Sequence, residues 1–124
     1  MPKIVAGILL FISLMFSAVS FAQNVPPSVS DPAELERIET ERQQIFDELF
    51  DDPTNMDNLF QYANLSILLG DLEAAVGVFE QMLIYDDELP RIRLELGVLY
   101  YRLGAFTTAK VYLESVKRYN PPQE

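Results

Sequence analysis

The sequence of 124 residues contains no cysteine and no histidine. The lack of cysteine excludes disulfide bonds and thiolate nucleophiles, and the lack of both residue types excludes the usual zinc sites and imidazole acid–base chemistry. Basic residues are scarce, because nine Lys and Arg stand against 19 Asp and Glu and leave a formal net charge of -10. Backbone phosphates repel a surface of this charge, so the composition argues against binding of nucleic acid.

Acidic residues cluster at residues 51–57 and 86–88, and carboxylates in such clusters are candidates for metal or catalytic sites. A calcium-binding EF-hand loop has Gly at its sixth position and Glu at its twelfth. Counted from Asp51, these positions hold Met56 and Tyr62. No motif combines a nucleophile, a base and oxyanion donors either. The sequence therefore predicts a protein that is not an enzyme, with no metal site and no cofactor.

Long apolar runs are absent apart from one at the N terminus. Lys3 precedes an apolar stretch over residues 4–16, and Ser20-Phe21-Ala22 offers small residues around a cleavable bond. These features predict a signal peptide over residues 1–22, with cleavage before Gln23, and therefore an exported protein. Residues 18–20 offer a second, weaker cleavage site. The alternative is a retained membrane anchor, because residues 4–22 span 19 positions and approach the length that crosses a bilayer.

A linker and a helix follow. Residues 23–30 (QNVPPSVS) predict a flexible linker, because the Pro-Pro pair blocks helix formation. Ser30 or Asp31 is placed to cap a helix that has Pro32 at its first position. Apolar residues then recur at helical spacing, at Leu35, Ile38, Ile45 and Leu49. We predict one amphipathic helix over residues 31–52, which ends before Pro53.

A period of 34 residues runs through the rest of the chain. It relates four pairs of positions, Leu69 and Leu103, Gly70 and Gly104, Ala75 and Ala109, and Phe79 and Leu113. In each copy one apolar pattern ends at the glycine and a second follows, which predicts two helices joined by a tight turn. We expect Gly70 and Gly104 to take positive φ, and Asp71 to cap the helix that follows it. The small residues Ala63 and Gly97 should let the paired helices approach closely.

This pattern resembles the tetratricopeptide repeat family, whose 34-residue helix-turn-helix unit has small residues at its eighth and twentieth positions. The resemblance covers residues 56–123, as repeats at 56–89 and 90–123. The matching positions are Leu59, Tyr62, Ala63, Gly70, Ala75 and Phe79 in the first repeat, and Leu96, Gly97, Tyr100, Gly104, Ala109, Leu113, Val116 and Pro121 in the second. Met82, Asp87 and Arg93 depart from the motif. The resemblance implies an all-α solenoid of antiparallel helix pairs with about five helices, in which residues 31–52 form a capping helix or a degenerate half-repeat.

In that family the first helix of each pair lines a concave surface that binds partners, so the resemblance also implies a site. Its predicted residues are Phe60, Asn64, Ile67, Arg91, Leu94, Val98, Tyr101 and Arg102. A peptide or a partner helix would meet aromatic anchors there, and Asn64 would bond to its backbone. The alternative is that these apolar residues are core, because apolar stripes at helical spacing mostly are. Phe60 and Leu94 stand where a carboxylate-clamping subclass carries cations, so that subclass is disfavoured.

The last predicted helix has an uncovered face, because only Pro121 and Pro122 and two polar residues follow it. We expect some of its residues to form a terminal interface, with a second copy, another protein or sequence missing from this chain. The candidates are Tyr112, Leu113, Val116 and Tyr119. Charge favours self-association, since residues 51–89 contain nine acids and no base, whereas residues 90–124 contain six bases and three acids. The alternative is that these charges only keep the protein soluble.

A signal peptide, no disulfides, a Pro-containing linker and a short repeat array resemble cell-envelope proteins of Gram-negative bacteria. Residues 88–122 (ELPRIRLELGVLYYRLGAFTTAKVYLESVKRYNPP) are similar to the N-terminal periplasmic repeat domain of outer-membrane β-barrel proteins such as surface lipoprotein assembly modifiers. The implied function is a non-enzymatic protein-interaction scaffold in the periplasm, or associated with the outer membrane. Two alternatives stay open. One is a truncated or N-terminal part of such a barrel protein, which serves surface protein assembly or export, and the other is a signal-anchored adaptor of the inner membrane.

Overall fold

The computed structural model describes residues 26–119, which form five α-helices. The helices are α1 (Pro32–Asp51), α2 (Met56–Leu68), α3 (Leu72–Tyr85), α4 (Pro90–Arg102) and α5 (Phe106–Val116). Each helix packs against the next one in the chain. The predicted all-α solenoid of tetratricopeptide-like helix pairs is therefore confirmed for this part of the chain. The predicted signal peptide, residues 1–22, lies outside the described residues.

Side chains cap three of the helices at their N termini. Asp31 accepts a hydrogen bond from the Ala33 N–H at 3.2 Å, and Asp71 accepts one from the Ala74 N–H at 3.3 Å. Asn55 caps α2 in the same way. Each cap satisfies a backbone donor that has no partner within the helix. The sequence predicted a cap at Ser30 or Asp31 and another at Asp71, and the structure has Asp31 and Asp71 as the caps.

Two glycines make the turns that close the helix pairs. Gly70 and Gly104 both have φ 78°, and they are the only residues in the described part of the chain with positive φ. After each glycine the next backbone N–H reaches back into the preceding helix, from Asp71 to the Ser66 carbonyl at 2.8 Å and from Ala105 to the Tyr100 carbonyl at 2.9 Å. Identical turns 34 residues apart confirm the repeat register and the predicted backbone conformation.

The core lies between α2, α3 and α4. Phe79, Leu72, Leu96 and Leu99 are its largest fully buried apolar side chains in these helices. Helix α5 packs closely on α4 at Gly97, where an added Cβ would stand 2.5 Å from Leu113 Cδ2. A side chain at this position would force the two helices or Leu113 to move. The small residue predicted at Gly97 is thus required by packing.

Helix α1 joins the solenoid through two buried residues, Ile38 and Ile45, and through one arginine. Arg42 Nη1 lies 3.0 Å from Asp71 Oδ2 and donates to Ser66 Oγ at 3.3 Å, so it connects α1 to the turn between α2 and α3. Residues 26–30, which belong to the predicted linker, have no regular structure, and the Ser28 N–H donates to the Leu68 carbonyl at 3.0 Å. None of the helices within residues 26–119 is both long enough and apolar enough to cross a membrane.

Candidate functional site: the concave face of α2 and α4

Helix α4 carries a stripe of exposed apolar side chains. Leu94, Val98 and Tyr101 are 45%, 46% and 63% exposed and follow one another at spacings of four and three residues. That spacing places them on one face of the helix. The opposite face buries Leu96 and Leu99 in the core. The stripe therefore leaves a large part of three apolar side chains exposed on one face of α4.

The predicted residues of α2 lie deeper than those of α4. Phe60 and Ile67 are partly buried and pack against the core, and Asn64 is also partly buried. The ring of Phe60 lies 6.0 Å from the ring of Phe79, centroid to centroid, in a tilted arrangement. Phe60 therefore contributes to the fold as well as to the surface, as the core alternative envisaged. The exposed part of the concave face belongs to α4.

Arg91 connects the two helices of the concave face. Its guanidinium carbon lies 4.9 Å from the centroid of the Phe60 ring, and its Nε lies 4.0 Å from Glu95 Oε1. A cation above an aromatic face is attracted by the ring quadrupole, so Arg91 links α4 to α2 through a side-chain contact. Arg102 is exposed in the last turn of α4, next to Tyr101. The two arginines put positive charge at both ends of the apolar stripe.

The apolar stripe continues from α4 onto α5. The rings of Tyr101 and Phe106 meet edge to face with their centroids 5.3 Å apart. Beside them lies a shallow cavity of about 370 Å³, which Leu113, Lys110 and Lys117 also line. The structure thus brings Tyr101, predicted for the concave face, together with Leu113, predicted for the terminal interface.

Tyr112, predicted for the terminal interface, has contacts within the chain. Its ring stacks on that of Tyr100 at 5.6 Å and 8°, and it is only partly exposed, so it lies in the packing of α5 against α4. The hydroxyls of Tyr100 and Tyr112 both donate to Glu80 Oε1 on α3, the second at 3.4 Å. Burial, and then the neighbouring Glu80 carboxylate, raise the pKa of both tyrosines above their ordinary value. Tyr112 thus helps to hold α3, α4 and α5 together, and its part in a terminal interface stays a prediction.

The other terminal residues divide between packing and exposure. The Tyr119 hydroxyl donates to the Asp87 carbonyl at 3.4 Å, although 43% of the residue is exposed. Val116 is partly buried. Leu113 packs on Gly97 and is 37% exposed. Of the four predicted residues, Leu113 and Tyr119 therefore present the most surface.

Sequence reasoning missed a second apolar site, which we call the α1–α3 groove. It is a cavity of about 470 Å³ between α1, α2 and α3. Phe46, Leu49 and Phe50 of α1, Tyr62 of α2, and Ala74 and Gly77 of α3 are among its lining residues. The signal for it was the in-register comparison of α3 with α5, because smaller residues on α3 leave space where α5 is bulky. The sequence interpretation gave α1 the role of a cap and did not compare the space beside α3 with the space beside α5.

Comparison with known proteins supports the repeat resemblance over the C-terminal part of the chain. The family model described as tetratricopeptide repeat matches residues 66–124. No curated protein and no solved structure matches the chain significantly. The match begins within α2 and includes all of α3, α4 and α5, so it covers the exposed stripe of α4.

Proposed function

We propose, from the tetratricopeptide repeat match over residues 66–124, that this chain is a protein-interaction scaffold whose concave face binds a peptide or a partner helix. Repeats of this kind generally present surfaces to protein partners. Such scaffolds are typically non-enzymatic, which agrees with the absence of a catalytic motif from the sequence. The finer claim, that the concave face is the binding surface, depends on the α4 stripe.

The exposed stripe of Leu94, Val98 and Tyr101 is the observation that carries the proposal. Three bulky apolar side chains at helical spacing match what a partner helix or an extended peptide needs as anchors. Arg91 and Arg102 flank the stripe and supply cations to a partner with acidic ends. The partner that fits this surface has two or three apolar anchors between acidic residues.

A crosslinking pull-down from cell-envelope extracts tests the concave site, with the full chain as bait and quantitative mass spectrometry as readout. Tyr101→Ala and Leu94→Ser should each reduce recovery of the specific partner about tenfold or more, since anchor residues dominate binding. Val111→Ser is the matched control, because Val111 is 63% exposed on α5 and lies outside the concave residues. If Tyr101→Ala and Leu94→Ser recover as much of the partner as the Val111→Ser control does, the stripe does not bind the partner. The chain would then be a structural spacer.

The cell-envelope location is a separate part of the proposal, supported by the signal-peptide pattern of residues 1–22. Fractionation of cells that express the chain, followed by mass spectrometry, tests it. A periplasmic product that begins at Gln23 is expected. A membrane-bound product that keeps residues 1–22 would indicate the signal-anchored adaptor, and an uncleaved cytoplasmic product would overturn export without touching the scaffold role.

A further inference from the structure

The α1–α3 groove lies on different helices from the concave site. Its walls are α1 and α3, and Tyr62 of α2 contributes to its floor. Phe50 and Phe46 on its α1 side are 84% and 51% exposed, although both are large apolar side chains. A volume of about 470 Å³ is within the range of pockets that bind ligands in proteins, about 300–1,000 Å³. The groove therefore has the size and the apolar walls of a binding site.

The repeat allows the groove to be compared with the equivalent position in the chain. The gap between α3 and α5 corresponds to the gap between α1 and α3, one period of 34 residues later. There Tyr112 occupies the position of Val78, and Tyr100 occupies that of Ser66. The two tyrosines stack with their ring centroids 5.6 Å apart. At these two positions the first gap therefore carries the smaller side chains.

Gly77 has no structural reason to be glycine. It lies within α3, where glycine is less favourable than any residue except proline, and its φ is not positive. Nothing lies within 4 Å of a Cβ placed on it, so packing within the chain does not require its absence. At Gly97, by contrast, the Leu113 side chain occupies the space that a Cβ would need. A glycine on the wall of an apolar groove is explained when a partner packs closely against the helix at that point.

Charge around the groove identifies the kind of partner. All residues that line the groove lie within residues 43–89, and this segment contains eleven acidic residues and no basic one. Glu73 lies one helical turn before Gly77, and Asp47 lies one turn before Phe50. Arg42 lies at the edge of the groove, with its guanidinium carbon 5.7 Å from the centroid of the Tyr62 ring, and its charge is paired with Asp71 at 3.0 Å. A partner that brings its own Lys or Arg side chains would complement this rim.

We infer that the α1–α3 groove binds a cationic amphipathic helix of a partner protein. The bulky apolar side chains of the partner helix lie between Phe46, Phe50 and the α3 wall at Gly77. The Lys or Arg side chains of the partner helix face Asp47 and Glu73. This second docking surface does not depend on the concave site of α4, and it allows the chain to join two partners.

The probe is a designed Leu/Lys amphipathic peptide with one Trp on its apolar face, and its control is the same peptide with Glu in place of Lys. The chain contains no Trp, so the Trp emission reports on the peptide alone. We expect the Lys peptide to bind the full chain at one site with a blue shift, and to bind more weakly as salt is added. The Glu peptide should not bind. Equal binding of the two peptides would overturn the charge argument.

Variants of the full chain locate the binding. Gly77→Leu and Phe50→Ser should each weaken binding of the Lys peptide about tenfold or more, while circular dichroism shows unchanged helicity. Ile84→Ser is the matched control, since Ile84 is 81% exposed on α3 and does not line the groove. Leu94→Ser, which changes the concave face, should leave binding of the Lys peptide unchanged. Unchanged affinity in Gly77→Leu, or a loss in Leu94→Ser instead, would overturn the assignment.

Two further comparisons address general attraction and self-association. Glu73→Lys should weaken binding much more than Glu36→Lys, which changes the charge equally on the N-terminal half of α1. Equal effects would mean that the peptide follows net charge only, against the proposal. Sedimentation velocity shows whether a second copy occupies the groove. A dimer that Gly77→Leu dissociates would assign the groove to self-association and contradict a cationic partner.

Discussion

At the residue scale, Gly77 and Gly104 form a matched pair that separates the two reasons for glycine. Neither has an atom within 4 Å of an added Cβ, but only Gly104 has positive φ, at 78°. Gly104→Ala should lower the free energy of unfolding by about 1 kcal/mol, because a Cβ is strained in that conformation. Gly77→Ala should raise it by about 0.5–1 kcal/mol, because alanine favours the helix. Chemical denaturation of the two variants and the wild-type chain measures both values.

Shifts of the same sign in both variants would contradict this account. A gain in Gly104→Ala would mean that the turn relaxes easily, and a loss in Gly77→Ala would mean that the α3 helix needs glycine for its own packing. The conformation of Gly70 and Gly104 could be predicted because each follows a helix at a fixed offset in the repeat. The role of Gly77 could not, since it depends on empty space beside α3 that no local pattern encodes.

At the scale of helices, packing of α5 depends on the tyrosine pair that meets Glu80. In the folded protein the pKa of Tyr100 and of Tyr112 is raised, chiefly by burial. Above pH about 10, the ordinary tyrosine pKa, the unfolded chain releases these protons while the folded chain retains them. Stability is therefore fully present below pH about 10 and falls as the pH rises above it. Thermal unfolding between pH 8 and about 11 should show this fall.

The variant Tyr100→Phe, Tyr112→Phe isolates the tyrosine contribution from that of lysines, which titrate in the same range. It should lose less stability than wild type between pH about 9 and 11, because it has no hydroxyl to ionise at either position. Tyr119→Phe is the control, since it removes one tyrosine hydroxyl from a residue that is 43% exposed. Parallel pH curves for wild type and the double variant would show that the tyrosines do not link pH to stability.

Five helices could be predicted because glycines, prolines and a 34-residue period mark their ends, and the period also indicated which helices pair. The rotation of each helix about its axis was harder to predict. The repeat register placed Leu94, Val98 and Tyr101 on the exposed face of α4, as the structure has them. It did not show that Tyr112 turns toward Tyr100 and Glu80, because that depends on a cross-helix cluster of three residues in three different helices.

At the scale of the whole molecule, charge is divided between two halves. Residues 26–89 contain 16 acids and two bases, whereas residues 90–119 contain six bases and two acids. The distribution was visible in the sequence, but its use was not, because the α1–α3 groove appears only when the acidic helices are assembled around it. The basic half, by contrast, holds Lys110 and Lys117 at the cavity beside Tyr101. Under the two proposals above, the chain would connect two different partners, one through each apolar surface.

The concentration of acids has a consequence for stability that can be measured with salt. The five ion pairs seen within residues 26–119 are largely exposed, so solvent screens them and each contributes little to stability. At an ionic strength of about 0.01 M, charges interact over about 30 Å, and repulsion among the acids of α1, α2 and α3 then opposes folding. Raising NaCl from about 0.01 M to about 0.15 M shortens this range to about 8 Å, and the thermal midpoint should rise.

Glu36→Lys should raise the thermal midpoint at low salt and reduce its dependence on salt. Glu36→Gln should do both to about half that extent, since it changes the charge by half as much. A midpoint that falls as NaCl is added would show that attraction between the acidic and basic halves outweighs the repulsion within the acidic half.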